Sequence, residues 1–124
     1  MVKMTKQELK NYVLKLCKNK TPVPKPKGKT VLTMSDKIGQ DRFQYTLGQD
    51  RKKSISFATL FRCYERLMTD GEFTRLWFAT EFEAEHASSP CNFTTIGGIF
   101  VKMGIAEYFG NGIYKLKKKK AKAL

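Results

Sequence analysis

Residues 92–117 have the sequence NFTTIGGIFVKMGIAEYFGNGIYKLK, and this stretch decides the fold that the sequence predicts. Its first part predicts a helix, because apolar residues recur at the spacing of one helical face. These residues are Phe93, Ile96, Ile99, Phe100 and Met103. A glycine follows where a helix commonly ends. The remainder predicts two short strands joined by a glycine-rich turn, which is the pattern of a tight hairpin.

Two further helices are predicted before this stretch. The first covers residues 57–68, with Ser54 or Ser56 as its cap. The second starts near Thr74 and ends before a proline. Six of the eleven acidic residues lie in this helix pair. We therefore expect the surface of the pair to face away from phosphates.

The three helices and the closing hairpin resemble the winged helix-turn-helix superfamily of DNA-binding proteins over about residues 54–117. The likeness rests on the order of the elements and on the hairpin GIAEYFGNGIY. In that superfamily the third helix enters the major groove, and the hairpin contacts the adjacent backbone or minor groove. The resemblance therefore implies base or phosphate contacts by Asn92, Thr94, Thr95 and Lys102, and wing contacts by Asn111, Lys115 and Lys117.

The paired glycines inside the third helix predict a close approach, because each glycine costs about 1 kcal/mol relative to alanine in a helix. Two neighbours are considered for Gly97 and Gly98. One is a neighbouring helix near Trp77, and the other is the nucleic-acid backbone.

An amphipathic helix and a basic linker are predicted at the start of the chain. Thr5 and Glu8 match the capping-box pattern, and an apolar face at helical spacing follows. This helix is expected to dock on the domain or on a second copy of the chain. Three prolines within residues 18–29 favour an extended, semi-rigid linker. Its lysines either lie along a phosphate backbone or are simply solvated.

Residues 30–47 alternate between apolar and polar side chains, which predicts a hairpin with one buried face. Its outward residues Arg42 and Gln44 either meet a ligand or face water. A basic cluster then precedes the first helix of the pair, where free backbone N–H groups also point. The cluster of Arg51, Lys52 and Lys53 is thus either a phosphate clamp or a charged turn.

Together these elements predict an α+β protein. Its body is winged-helix-like, with three helices and a C-terminal β-hairpin wing, and an N-terminal amphipathic helix, a Pro/Lys linker and a β-hairpin precede it. The expected organisation is residues 1–29 as helix and linker, residues 30–117 as one globular domain and residues 118–124 as a basic tail.

The formal charge of +13 is concentrated at the two ends of the chain. Residues 1–29 hold nine lysines and one acidic residue, whereas residues 30–112 hold nine basic and ten acidic residues. Cationic ends suit a polyanion, because each neutralised phosphate releases counterions. We expect a nucleic-acid partner, DNA in preference to RNA, with phosphate contacts from Lys118, Lys119 and Lys120. A protein partner or a homodimer through the N-terminal helix is also open, and no membrane partner is expected.

Enzyme chemistry finds little support in the sequence. His86 is the one histidine, and the three cysteines lie far apart, so neither a metal site nor a cofactor is expected. Asp50, Arg51 and Lys52 supply half of a metal-dependent nuclease pattern, with Asp36 or Asp41 upstream. This leaves a nuclease as a minor alternative.

The sequence therefore predicts a non-enzymatic DNA-binding protein, acting as a transcription regulator or as an accessory factor of a larger nucleic-acid machine. Two alternatives are an RNA-binding component of a ribonucleoprotein and a module that recruits or inhibits a protein partner. The charged first residues do not match a secretory signal, so the expected location is cytoplasmic, nucleoid-associated or nuclear.

Overall fold

The computed structural model describes residues 3–34, 41–47 and 51–117 of the 124-residue chain. Within those ranges the chain forms five helices and seven strands. In chain order they are α1 (Lys6–Lys18), β1 (Pro22–Lys25), β2 (Gly28–Met34), β3 (Arg42–Leu47), β4 (Arg51–Ser56), α2 (Phe57–Asp70), β5 (Glu72–Thr74), α3 (Arg75–Glu81), α4 (Glu83–Ser88), α5 (Cys91–Lys102), β6 (Ala106–Gly110) and β7 (Ile113–Leu116).

The strands form two antiparallel sheets, and the α+β class expected from the sequence is confirmed. The first sheet has four strands in the order β1-β2-β3-β4, each paired with its neighbour along the chain. The second sheet has the order β5-β7-β6, so that the short strand β5 pairs with the last strand of the terminal hairpin. One hydrophobic core joins side chains from both sheets and from helices α1, α2, α3 and α5.

Helix α1 begins at the predicted capping box. The Thr5 hydroxyl accepts a hydrogen bond from the Glu8 amide at 3.1 Å, and the Glu8 carboxylate accepts one from the Thr5 amide at 2.8 Å. The apolar face of the helix is fully buried at Leu9, Val13 and Cys17. The helix therefore packs against its own domain, which is one of the two arrangements that its pattern allows.

The linker predicted over residues 18–29 is wrong, because Pro22–Lys25 forms strand β1 and pairs with β2. β1 is an edge strand, where proline is tolerated because its missing N–H can face away from the neighbouring strand. Alternation places Val23 in the core and leaves Pro22 and Pro24 exposed. This strand is difficult to predict from the sequence, because three prolines lie close together and only Val23 among them points into the core.

The charged turn predicted around residues 51–53 is also wrong. Residues 51–56 form β4, which pairs with β3 along its whole length, so the predicted hairpin is part of a larger sheet. The predicted start of the helix that follows β4 is confirmed, and its end lies two residues beyond the predicted residue 68. The Ser56 hydroxyl accepts a hydrogen bond from the Thr59 amide at 3.0 Å and caps α2, and Gly71 ends that helix with φ of 84°.

Helix α5 lies in the interior of the protein. All residues from 92 to 100 are buried, and β1 packs across the helix. A methyl group added at Gly98 would overlap the carbonyl oxygen of Pro24, and one added at Gly97 would overlap the ring of Tyr114. The predicted close approach is therefore confirmed. The neighbours are a strand and a tyrosine rather than a helix near Trp77.

Gly98→Ala should destabilise the protein, because the Pro24 carbonyl belongs to the backbone of a paired strand and cannot rotate away. We expect a loss of about 1–3 kcal/mol in the free energy of unfolding, despite the better helix propensity of alanine. Urea denaturation measures this loss. Glu65→Ala, at an exposed position of α2, is the control and should change the value by less than about 0.5 kcal/mol. Equal stability of the two variants would contradict the packing described here.

Candidate nucleic-acid interface

The predicted contacts on the third helix lie mostly inside the protein. The side chains of Asn92, Thr94 and Thr95 are 1%, 9% and 0% exposed. Lys102, in the last turn of α5, is exposed. The expectation that this helix presents a polar outer face is therefore wrong, because β1 covers it. Their burial leaves the three side chains unavailable to a nucleic acid in this arrangement.

Asn92 takes part in a buried hydrogen-bond network instead. Its amide oxygen accepts a hydrogen bond from the Tyr45 hydroxyl, and its amide nitrogen donates to the Glu85 carboxylate at 2.8 Å. The other Glu85 oxygen accepts a hydrogen bond from the Thr59 hydroxyl at 3.3 Å. Burial raises the pKa of the Tyr45 phenol above its usual value, so this group stays protonated and keeps its role as a donor. The network connects β3, α5, α4 and α2.

The predicted contacts on the terminal hairpin remain at the surface. Asn111 is exposed in the turn with φ of 53°, and Lys117 is exposed after the last strand. The Lys115 ammonium lies 4.1 Å from the centre of the Phe109 ring. That ring is 64% exposed, which is unusual for a phenylalanine. The remaining predicted contacts, at Lys118, Lys119 and Lys120, lie outside the described residues.

The predicted basic cluster lies on the edge strand β4. Arg51 and Lys52 are exposed, and Lys53 is half-buried, with its ammonium 3.5 Å from the carbonyl oxygen of Ser88. The register of β3 and β4 pairs Thr46 with Lys52. Lys52 therefore lies on the outer face of the sheet with Thr46, whereas Lys53 stands opposite the buried Tyr45 and lies on the other face.

A groove of about 570 Å³ runs over the outer face of the four-stranded sheet. Lys18 and Lys20, at the end of α1 and just beyond it, line one part of it. Its other lining residues include Lys52 and the polar side chains of β2 and β3. We call this feature the sheet-face groove and define it by Lys18, Lys20, Thr33, Gln44, Thr46 and Lys52.

The sheet-face groove is cationic, and its described lining includes no acidic side chain. Burial raises the pKa of the neighbouring Cys17 thiol to about 12, so this residue adds no negative charge. Lysine ammonium groups and threonine hydroxyls are common partners of phosphate oxygens. The groove therefore offers the groups that a phosphate backbone requires.

Among the residues that the structure describes, two polar atoms in the sheet-face groove have no hydrogen-bond partner. They are the Thr33 hydroxyl oxygen and the Gln44 amide oxygen, and both are shielded from water. Leaving such an atom unpaired costs about 1–3 kcal/mol, so an unsatisfied group in a native structure calls for a functional or structural reason.

Negative charge is concentrated on another part of the protein. Residues 57–88, which form α2, β5, α3 and α4, hold six acidic and three basic residues. Two of the basic residues are engaged there, in the pairs Arg62–Glu81 at 3.4 Å and Arg66–Asp70 at 3.2 Å. The N-terminal residues 3–34 hold nine lysines and one acidic residue. The helix pair is thus acidic, as predicted, and α1 and the first hairpin are basic.

A second cleft, of about 460 Å³, lies between β3, β4 and the start of α5. Arg42 lines it and donates two hydrogen bonds to Ser54, to the hydroxyl at 3.0 Å and to the carbonyl at 3.3 Å. The carboxylate of Glu85 also lines this cleft. Lys52 and Lys53 line it as well, so the cleft holds three cations and one carboxylate, whereas the described lining of the sheet-face groove holds three cations and no carboxylate.

The groups of the minor nuclease alternative are not assembled in the described ranges. Asp41 is paired with Lys6 and Lys10 of α1, and Asp36 and Asp50 lie outside the described residues. His86 packs edge-on against Phe78. Among the residues that the structure describes, no three His, Cys, Asp or Glu side chains come together to hold a metal ion.

Scans of the chain against protein-family models, against curated proteins and against solved structures gave no match. None of the helices within the described ranges combines the length and the apolar character needed to cross a lipid bilayer. Function therefore has to be inferred from the residues themselves.

Asn92→Ala should act on stability, because it leaves the Tyr45 hydroxyl and the Glu85 carboxylate without their shared partner. We expect a loss of about 1–3 kcal/mol in the free energy of unfolding, measured by urea denaturation. The control is Asn11→Ala on the exposed side of α1, for which we expect a change below about 0.5 kcal/mol. A stable Asn92→Ala protein with weakened nucleic-acid binding would show instead that Asn92 contacts the ligand.

Proposed function

We propose that this protein is a non-enzymatic nucleic-acid-binding protein that holds a phosphate backbone in the sheet-face groove. The observation that carries this proposal is the grouping of Lys18, Lys20 and Lys52 around polar side chains, with no acidic residue in the described lining. Each phosphate neutralised there would release counterions, which makes the binding strong at low salt and weak at high salt. In the cell, the protein would act as a regulator or as an accessory factor of a larger nucleic-acid machine.

We also propose a winged-helix-like arrangement for residues 57–116. The order of α2, β5, α3, α4, α5, β6 and β7 supports it, because three main helices are followed by a terminal hairpin. In this arrangement α5 would hold the position of the recognition helix. Its burial argues against direct reading of the major groove, so affinity would come from the sheet and from Lys102, Lys115 and Lys117 around the hairpin.

A second candidate function is the recruitment of a protein partner. The observation that favours it is the exposure of two large apolar side chains, Leu76 at 79% and Phe109 at 64%. Exposed apolar surface can mark a site of protein interaction. An open apolar hollow along α1, lined by Tyr12, Leu14 and Met34, offers a further surface for a second copy of the chain.

Exchanging Lys18 and Lys20 for alanine should weaken binding to every nucleic acid tested, because these side chains contact phosphates rather than bases. We expect the slope of log affinity against log salt concentration to fall by about one for each lysine. Fluorescence anisotropy with labelled duplex and single-stranded DNA and with RNA, between low and moderate salt, measures affinity and slope.

The matched control is Arg62→Ala with Arg66→Ala, because it removes the same charge from the acidic surface. It should leave affinity and slope close to those of the native protein. Equal weakening by both pairs would mean that only net charge matters and that the groove is not the site. If neither DNA nor RNA bound at low salt, the nucleic-acid function would be refuted and recruitment of a protein would stand.

A further inference from the structure

The two unpaired polar atoms of the sheet-face groove belong to neighbouring residues. Thr33 on β2 and Gln44 on β3 stand directly opposite each other in the antiparallel register. Their side chains therefore project from the same face of the sheet. Within residues 3–34, 41–47 and 51–117, neither the Thr33 hydroxyl oxygen nor the Gln44 amide oxygen has a hydrogen-bond partner. The two adjacent groups form a polar patch in a groove that lysines also line, and no contact within those ranges satisfies them.

The width of the sheet decides which form of nucleic acid can reach this patch. Strands lie about 4.8 Å apart, so four strands span about 14 Å between the outer backbones. The major groove of DNA is about 12 Å wide and admits a helix or a two-stranded ribbon. The Thr33–Gln44 pair joins the two central strands of the sheet, so the outer strands would collide with a duplex. A single strand has no such limit, because its bases can turn toward a flat surface.

The lysines around the patch allow a strand to settle on it. The Lys18, Lys20 and Lys52 side chains line the same groove as Thr33 and Gln44. Lysine stems are flexible and can move as their ammonium groups engage phosphates. The ammonium groups could therefore hold a backbone that lies over the Thr33–Gln44 pair.

We propose that the sheet-face groove binds single-stranded nucleic acid and that Gln44, assisted by Thr33, reads an adenine base. The Gln44 amide oxygen accepts a hydrogen bond from the exocyclic amine of adenine, while the amide nitrogen donates to the ring nitrogen N7. The Thr33 hydroxyl pairs with a second polar atom of the base edge. This inference rests on the proposed nucleic-acid function and adds to it the state of the strand and the base.

The test compares oligodeoxynucleotides of one length, namely oligodeoxyadenylate, oligodeoxycytidylate, oligodeoxythymidylate and an adenine–thymine duplex. Fluorescence anisotropy at low salt measures their affinities for the full chain. We expect the native protein to bind the adenine strand about ten-fold more tightly than the two pyrimidine strands, and the duplex more weakly than the adenine strand. Gln44→Leu, which keeps the side-chain volume and removes the amide, should reduce the adenine preference to less than about two-fold.

The lysine variants separate this inference from the function on which it rests. Exchange of Lys18 and Lys20 for alanine should weaken all strands and leave the adenine preference unchanged. Replacing an unpaired buried amide with an apolar side chain should preserve the fold, and Gln44→Met gives a second variant with the same expected effect.

Three results would overturn the inference while the phosphate-binding function stood. The first is equal affinity for the three single strands, and the second is an adenine preference that survives both Gln44 variants. The third is binding of the duplex at least as tight as that of the adenine strand. If no strand bound at all, the function itself would be refuted.

Discussion

The contact between strand β1 and helix α5 is the constraint on which the rest of the structure depends. Gly98 lets the carbonyl of Pro24 reach the helix, and Gly97 makes room for the Tyr114 ring. Any side chain at either position would push the four-stranded sheet or the terminal hairpin away from the body. Because the Pro24 backbone and the Tyr114 ring approach so closely, the helix is enclosed from two sides. Its polar residue Asn92 takes part in an internal hydrogen-bond network.

Because α5 is enclosed, the positive charge that could meet a nucleic acid lies mainly on other elements. Lys6 and Lys10 of α1 are engaged with Asp41, an exposed pairing that adds little stability but orients the helix beside β3. Lys18 and Lys20 lie at the other end of the helix and line the sheet-face groove. The same amphipathic helix thus fixes the core with its apolar face and supplies cations to the sheet. The sequence shows that lysines are concentrated near the start of the chain. Only the position of α1 beside the sheet shows which surface those lysines form.

Local signals in the sequence predict the helix ends well. The Thr5–Glu8 box and the cap at Ser56 depend on residues a few positions apart, and both are present. The terminal hairpin belongs to the same category, since its turn residues specify it. Its predicted contacts with nucleic acid depend on the resemblance to winged-helix proteins and stay predictions.

The elements that the sequence did not predict depend on pairings between residues that are distant in the chain. β4 exists because residues 51–56 pair with β3, and β1 exists because Val23 fills the core beside α5. Neither partner can be seen in a local pattern, so a charged strand looks like a turn and a proline-rich strand looks like a linker. Predicting the sheet-face groove from the sequence would require the same knowledge of which distant strands pair. Gln44 can be assigned to an outward face from its alternation, but not to a position opposite Thr33.

The closeness of Pro24 and Gly98 also has a consequence for the order in which the chain acquires structure. These residues are separated by most of the sequence, and contacts between distant residues form slowly because a long loop must close first. During synthesis, the strands of the first sheet leave the ribosome well before α5. The apolar side chain of Val23 on β1 must wait for α5, which leaves an interval in which this edge of the sheet is open to association with other chains.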